Sequence, residues 1–314
     1  MNILKNKKAG LIAAISAVAL LSVCFISGSG FTAHASEITP HDCSSDEVCY
    51  PNTGGGFNAQ ELKQIGWDIS QKGKTSPYYQ KFHDYMQANS NGEGDKRGTI
   101  KTTNGNVEFR LIGMNHDDRA DGKGKAGLTF MATDAKAIPT HSQKNNYNIF
   151  YGGWRDSNLR YNLNEGDIWQ MMPKSLRDNV TPVIKYTNNG PQDKNEGYYD
   201  KSALTATVDK LFLLSYKELV PTPYNNSNYW EDAYNSLVQE GKQYEFFKGK
   251  VTNNASSNTV LNYSHILTQN NWWWERSASP WGSGGALGVG SGGYPTDHAY
   301  VAHSHGGVVP ALSF

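Results

Sequence analysis

The residues best suited to chemistry fall in three groups. His116-Asp117-Asp118-Arg119-Ala120-Asp121-Gly122 sets three carboxylates and an imidazole within seven residues, the oxygen-rich kind of turn that can hold a hard cation. Counted as an EF-hand from Asp117 it fails, because Leu128 stands at the twelfth position, where a bidentate acid is required. A polar turn whose aspartates bond backbone amides explains the same residues. An irregular oxygen-ligand site stays open beside it, so a divalent cation is the one cofactor left in play.

His298, His303 and His305 form the second group, with His303 and His305 on one face if the segment is extended. Asp297 is the only acid near them, and Gly306-Gly307 follows, so a solvated or ligand-facing loop is expected rather than a transition-metal site. The third group is Cys43 and Cys49, which would close a small disulfide loop in an exported chain. The sequence has no GxSxG elbow, HExxH or phosphate-cradling glycine loop. Its scattered carboxylates leave any glycosidase pair unlocated. Catalysis therefore has little support, and no catalytic residue is assigned.

Aromatic residues make up 12% of the chain, with 18 tyrosines. Rings of this kind either pack a core with their polar ends bonded outward, or sit on loops where they bind sugars and proteins at little entropic cost.

The first 35 residues read as a secretion signal: Lys5, Lys7 and Lys8 lead the apolar stretch Ala9–Ile26, and Ala33-His34-Ala35 supplies a cleavage site. Gly10, Ser16 and Ser22 break that stretch, which disfavours a membrane anchor. Val23 before Cys24 is bulky for a lipoprotein signal, so lipidation stays the lesser option. The signal carries three lysines and no acid, which leaves 26 basic and 29 acidic side chains, a net charge of −3. Nothing in that balance attracts nucleic acid. A released chain, or one held non-covalently at the wall, is the expectation.

The elements that must position these residues change in type along the chain. Residues 36–56 are polar, hold the cysteine pair and end in three glycines, as a leader would. Asn58 and Glu61 make a capping box for a helix whose face is Leu62, Ile65 and Ile69, with Phe57 and Leu62 as its staple. Ser76-Pro77 opens a second helix carrying Tyr78, Phe82, Tyr85 and Met86, so 57–97 reads as a helical lobe. Strands follow from Gly98, with Asn104-Gly105 as a hairpin turn. Short helices are expected near 157–163, 174–179 and 230–239, and a buried strand at 211–214. Glycine-separated strands close the chain at 272–276, 286–289, 298–303 and 308–312. Alternation along Trp272-Trp273-Trp274-Glu275-Arg276-Ser277 sends Trp272, Trp274 and Arg276 to one face and Trp273 to the other. The three rings cannot all meet one ligand, so this run reads as scaffold, with Arg276 bonded to a carboxylate or to backbone carbonyls. The class is α+β.

Several ordered stretches carry a resemblance: Phe109 to Phe130, Gly152-Gly153-Trp154 with Leu159-Arg160, Thr207 to Ser215, Trp272 to Ser277, and Gly307 to Leu312. Together they resemble a family of bacterial exported domains of unknown function, over residues 98–314. The ending, a tryptophan strand with Arg-Ser, a variable loop and a Gly-Val-x-Pro-Ala strand, is similar to that of C-type-lectin-like folds, including relatives of the formylglycine-generating enzyme. The resemblance implies an irregular antiparallel sheet domain behind a small helical lobe, with ligands met by the loop between the last strands. Here that loop, 278–305, offers Trp281, Tyr294, Asp297, His298, Tyr300, His303 and His305. The oxidase relatives use active-site cysteines, and 98–314 contains none. The resulting expectation is a non-catalytic module for an extracellular glycan, cell-wall polymer or surface protein. A hydrolase of wall or matrix polymer and a self-assembling surface protein are the alternatives.

Overall fold

Asn104-Gly105 closes the hairpin that its composition predicts. Gly105 takes φ +119, where side chains are rarely tolerated, and lets β2 (Arg97–Thr102) turn back on β3 (Gly105–Met114) from Thr102↔Gly105 to Arg97↔Arg110. The computed structural model describes residues 37–88, 96–135, 138, 153–189, 204–221, 237–251, 271–278, 285–293, 295–301 and 306–314, with the backbone alone at 285 and 296–301. The hairpin grows into a six-stranded antiparallel sheet. β4 (Leu128–Ala132) pairs with β3, the C-terminal β11 (Ala311–Ser313) with β4, β7 (Leu211–Phe212) with β11, and β1 (Val48–Cys49) with β2. Both faces of β4 and β11 are buried, which is why their apolar runs show no alternation.

The segment expected as a polar leader carries β1 at the edge of this sheet. Tyr50 anchors it, fully buried with its ring 4.8 Å from Phe130 and 5.7 Å from Phe109. Cys43 and Cys49 form a disulfide beside it, Cα atoms 5.4 Å apart.

α1 (Ala59–Lys72) starts at the Asn58/Glu61 capping box and buries Leu62, Ile65 and Ile69. Each of those side chains stabilises by about 1.5–3 kcal/mol on burial. Gly66 on the same face lets the helix backbone meet Gly127 and Phe314, where a Cβ at Gly127 would collide with the Gly66 carbonyl. α2 (Tyr79–Ala88) buries Phe82 and Met86. Residues 37–314 form one compact unit, and the segments 36–56, 57–97 and 98–314 share one core. No described helix is long and apolar enough to cross a membrane.

Two smaller sheets and a set of short helices complete the α+β architecture. α3 (Gly153–Asp156), α4 (Asn158–Asn164), α5 (Asp167–Met171) and α6 (Lys174–Asn179) lead into the antiparallel pair β5 (Val183–Asn188) and β6 (Leu204–Asp209). Buried Asp209 ties this region together, accepting from Trp154 Nε1 at 2.9 Å and Arg160 Nε at 2.6 Å. α7 (Tyr216–Leu219) opens on a Ser215/Glu218 capping box. Of the helix expected over 230–239, residues 230–236 lie outside the described residues, and Val238–Glu240 is a 3-10 turn ended by Gly241. The third sheet has the order β10-β9-β8, from β8 (Trp273–Ala278), β9 (Gly285–Val289) and β10 (Pro295–Val301). β8 is buried throughout. Its free edge is occupied as well, since Trp274 N donates to Gly307 O and Arg276 N to Leu214 O.

Candidate functional site

The turn after β3 scatters its acids. Asn115 adopts φ +50 and turns the chain out of the sheet, after which the three aspartates take separate partners. Asp118 pairs with Lys125 at 2.7 Å. Arg119 grips Asp121 through Nε at 2.9 Å and holds that carboxyl far below its ordinary range. Asp117 alone points inward.

Three side chains from elsewhere in the chain converge on Asp117. Thr129 of β4 donates to its Oδ2 at 2.8 Å, Tyr244 donates its hydroxyl at 2.9 Å, and Lys185 of β5 donates to Oδ1 at 2.6 Å. Lys185 Nζ lies 2.6 Å from Glu218 Oε1 of α7 as well, and sits 4.2 Å over the Phe212 ring. Arg276 of β8 ion-pairs with the other Glu218 oxygen. It donates further to Thr187 Oγ1 at 3.0 Å and to the carbonyls of Leu213 at 2.9 Å and Glu240 at 2.7 Å. Ser277 and the Asn188 amide, the latter at 2.9 Å, both donate to the Glu240 carboxyl. The result is a buried chain of alternating charge, Asp117, Lys185, Glu218 and Arg276, with Glu240 at its end.

Burial alone would raise each acid, and the neighbours decide the outcome. At Asp117 burial is outweighed by Lys185 and His116, which hold the carboxyl down to about 2. At Glu218 burial is outweighed by Arg276 and Lys185, and the carboxyl stays below its ordinary value. At Glu240 burial wins over the pull of Arg276, and the carboxyl is pushed up to about 7. Burial lowers His116, whose ring stacks on Tyr244 at 3.8 Å. On the other face of β8, Glu275 is fully buried with neither oxygen bonded, and burial followed by repulsion from Glu240 raises it well above the carboxylate range.

Ligand atoms of His116, Asp117 and Glu218 lie within 4.8 Å of one another, close enough to share a metal ion. The Lys185 ammonium stands between the two carboxylates, where such a cation would stand. An open cleft of about 450 Å³ lies above this floor. Asn115–Asp118 and Lys125 line one side, Ile184 and Tyr186 a second, and Val238–Gln243 with Lys248 a third. Tyr186 is 43% and Val238 37% exposed. Over residues 127–314 the sequence matches the family described as a domain of unknown function, DUF6273. The chain belongs to this family. Neither the curated proteins nor the solved structures yield a match. The matched span contains Lys185, Glu218, Glu240, Tyr244 and Arg276, while His116 and Asp117 come from the turn just before it.

The residues singled out in the sequence are distributed differently. Trp273, Trp274 and Arg276 are fully buried, and Trp272 packs edge-on against Trp274 with ring centroids 4.8 Å apart. Trp281, Tyr294, His303 and His305 lie outside the described residues, and Asp297, His298 and Tyr300 lie on β10. Lys185, Glu218, Glu240 and Tyr244 were not singled out. The one signal among them is Ser215-Tyr216-Lys217-Glu218, a capping-box spacing that marks a helix start and says nothing of the ion pair its glutamate makes.

Proposed function

We propose that this chain is a secreted or surface-associated, non-catalytic binding module for an extracellular glycan, cell-wall polymer or surface protein. In this reading the ligand enters the cleft over the Asp117–Lys185–Glu218–Arg276 chain, and residues 278–305 remain a second candidate contact region. The supporting observation is that Lys185 bridges both Asp117 and Glu218 at 2.6 Å. Both acids are held ionised and saturated, so they stiffen the floor and leave recognition to the walls. The basic signal-like head, the disulfide and the similarity of the closing strands to lectin-like folds agree with an exported binder. Purified protein incubated with cell-wall fractions and immobilised glycoproteins is expected to be retained above a heat-denatured control. Retention no better than that control ends the proposal.

Two observations favour a hydrolase as the second reading. Asp117 and Glu218 stand about as close as the acid pair of a retaining glycosidase, roughly 5 Å, and Glu240 at about 7 is tuned like a general acid. Against it, the two close acids share one lysine and neither is left to act as acid or nucleophile. Release of reducing ends from wall polymer, abolished by Glu240→Gln, would establish the hydrolase instead.

A further inference from the structure

Resting on the binding-module reading, we infer that the cleft takes an acidic saccharide, its ring seated on Tyr186 and its carboxylate met by Lys242 and Lys248. Charge is the first support. In the floor Asp117 and Glu218 are matched by Lys185 and Arg276, and Glu240, pushed up to about 7, adds at most one negative charge. On the rim Asp118 is matched by Lys125 at 2.7 Å. Lys242 and Lys248 also line the cleft, are exposed, and have no ion-pair partner among the described residues. The uncompensated charge of the cleft is therefore positive, which draws and orients an anion.

Shape and wall chemistry point to a sugar. In β5 Val183, Lys185, Thr187 and Asn188 are buried, while Ile184 is half-buried, Tyr186 is exposed, and both line the cleft. Val238 adds a third apolar group. A half-exposed tyrosine ring beside polar groups suits the C–H face of a pyranose, whose hydroxyls still need partners. Asp118, Gln239 and the His116 ring supply polar atoms on the opposite walls. A volume of about 450 Å³ falls within the roughly 300–1,000 Å³ of small-ligand sites. A cation is the wrong ligand, since the Lys185 ammonium already stands between the carboxylates. Two lysines are too few for the phosphate tracking that nucleic acid requires.

Titration calorimetry on the signal-cleaved chain would use three probes: a uronic-acid trisaccharide, the neutral trisaccharide of the same ring, and a glycerol-phosphate oligomer. The uronate is expected to bind at least about tenfold tighter than the neutral sugar, equivalent to about 1.4 kcal/mol, and to weaken as salt rises. Lys242→Gln with Lys248→Gln removes that preference, and Tyr186→Ala weakens both sugars. All three positions are exposed, and unchanged melting temperatures certify that the variants fold. Equal affinity for the two sugars, tighter binding of the phosphate oligomer, or indifference to these substitutions overturns the inference. Wall or glycoprotein retention that survives all three substitutions leaves the binding-module reading standing and defeats this one alone.

Discussion

Lys185 donates to Asp117 across 2.6 Å in a place where the two side chains are only 2% and 3% exposed. The same ammonium reaches Glu218 at an equal distance, so one cation bridges two buried acids that would otherwise repel each other. Removing one member of such a buried set strands the remaining charges at a cost of about 3–5 kcal/mol. Lys185→Ala is expected to lose stability of that order in urea unfolding. It also opens the space between His116, Asp117 and Glu218, so millimolar divalent cation should raise the melting temperature of the variant and not of the parent. A variant as stable as the parent would show that Lys185 is solvated in solution.

Glu240 makes stability depend on pH in a definite direction. Its carboxyl is raised by burial to about 7 in the folded chain, against about 4.3 when exposed. The folded state thus favours the protonated form. That contribution is full below about pH 4 and is lost as pH rises through 7. The difference corresponds to roughly 3–4 kcal/mol. Asp117, held down to about 2 by Lys185, works in the opposite sense, and its contribution is lost as pH falls below 4 toward 2. Melting temperatures between pH 5 and 8 should fall in the parent and fall less in Glu240→Gln, which retains an acceptor for the Asn188 amide. Parallel profiles would place the Glu240 titration outside this window.

The disulfide should matter modestly. Cys43 and Cys49 are six residues apart, and closing so short a loop restrains the unfolded chain by about 2 kcal/mol. Tyr50, buried among Phe82, Phe109 and Phe130, holds β1 to the sheet without the bridge. Reduction is expected to lower the melting temperature by about 4 °C and leave the far-ultraviolet circular dichroism spectrum unchanged. Loss of the spectrum on reduction would mean that the bridge, and not the Tyr50 contact, fixes this edge.

Local features were legible where a local rule governs them. Asn104-Gly105 can hardly do other than turn, and Asn58 with Glu61 caps a helix from sequence neighbours alone. The site was not legible, because its partners are remote: Asp117 meets Lys185 across 68 residues and Tyr244 across 127. At β5 in particular, hydrophobic pattern carries no sign of the site. Ile184 and Tyr186 are the less buried positions, while Lys185 and Thr187 turn inward with Val183 because ions and hydroxyls line the interior there. The tryptophan strand shows a related limit. Alternation separates Trp273 from Trp274, but only the tertiary arrangement shows that β8 is buried throughout.

Glu275 gives the sharpest test of that buried strand. It lies between Trp274 and Arg276 with both carboxyl oxygens unbonded and fully enclosed. Burial and the nearby Glu240 push its carboxyl well above the ordinary value and so favour the protonated form. A buried polar group left unpaired costs about 1–3 kcal/mol, and an apolar side chain of similar length removes that cost without opening a cavity. Glu275→Met should therefore raise stability by up to that amount in urea unfolding, with the larger gain at high pH, where the parent acid is driven toward ionisation. Glu275→Gln, which keeps the shape and a polar end, should change stability less and lose its pH dependence. Destabilisation by both substitutions would show that the carboxyl is bonded in solution.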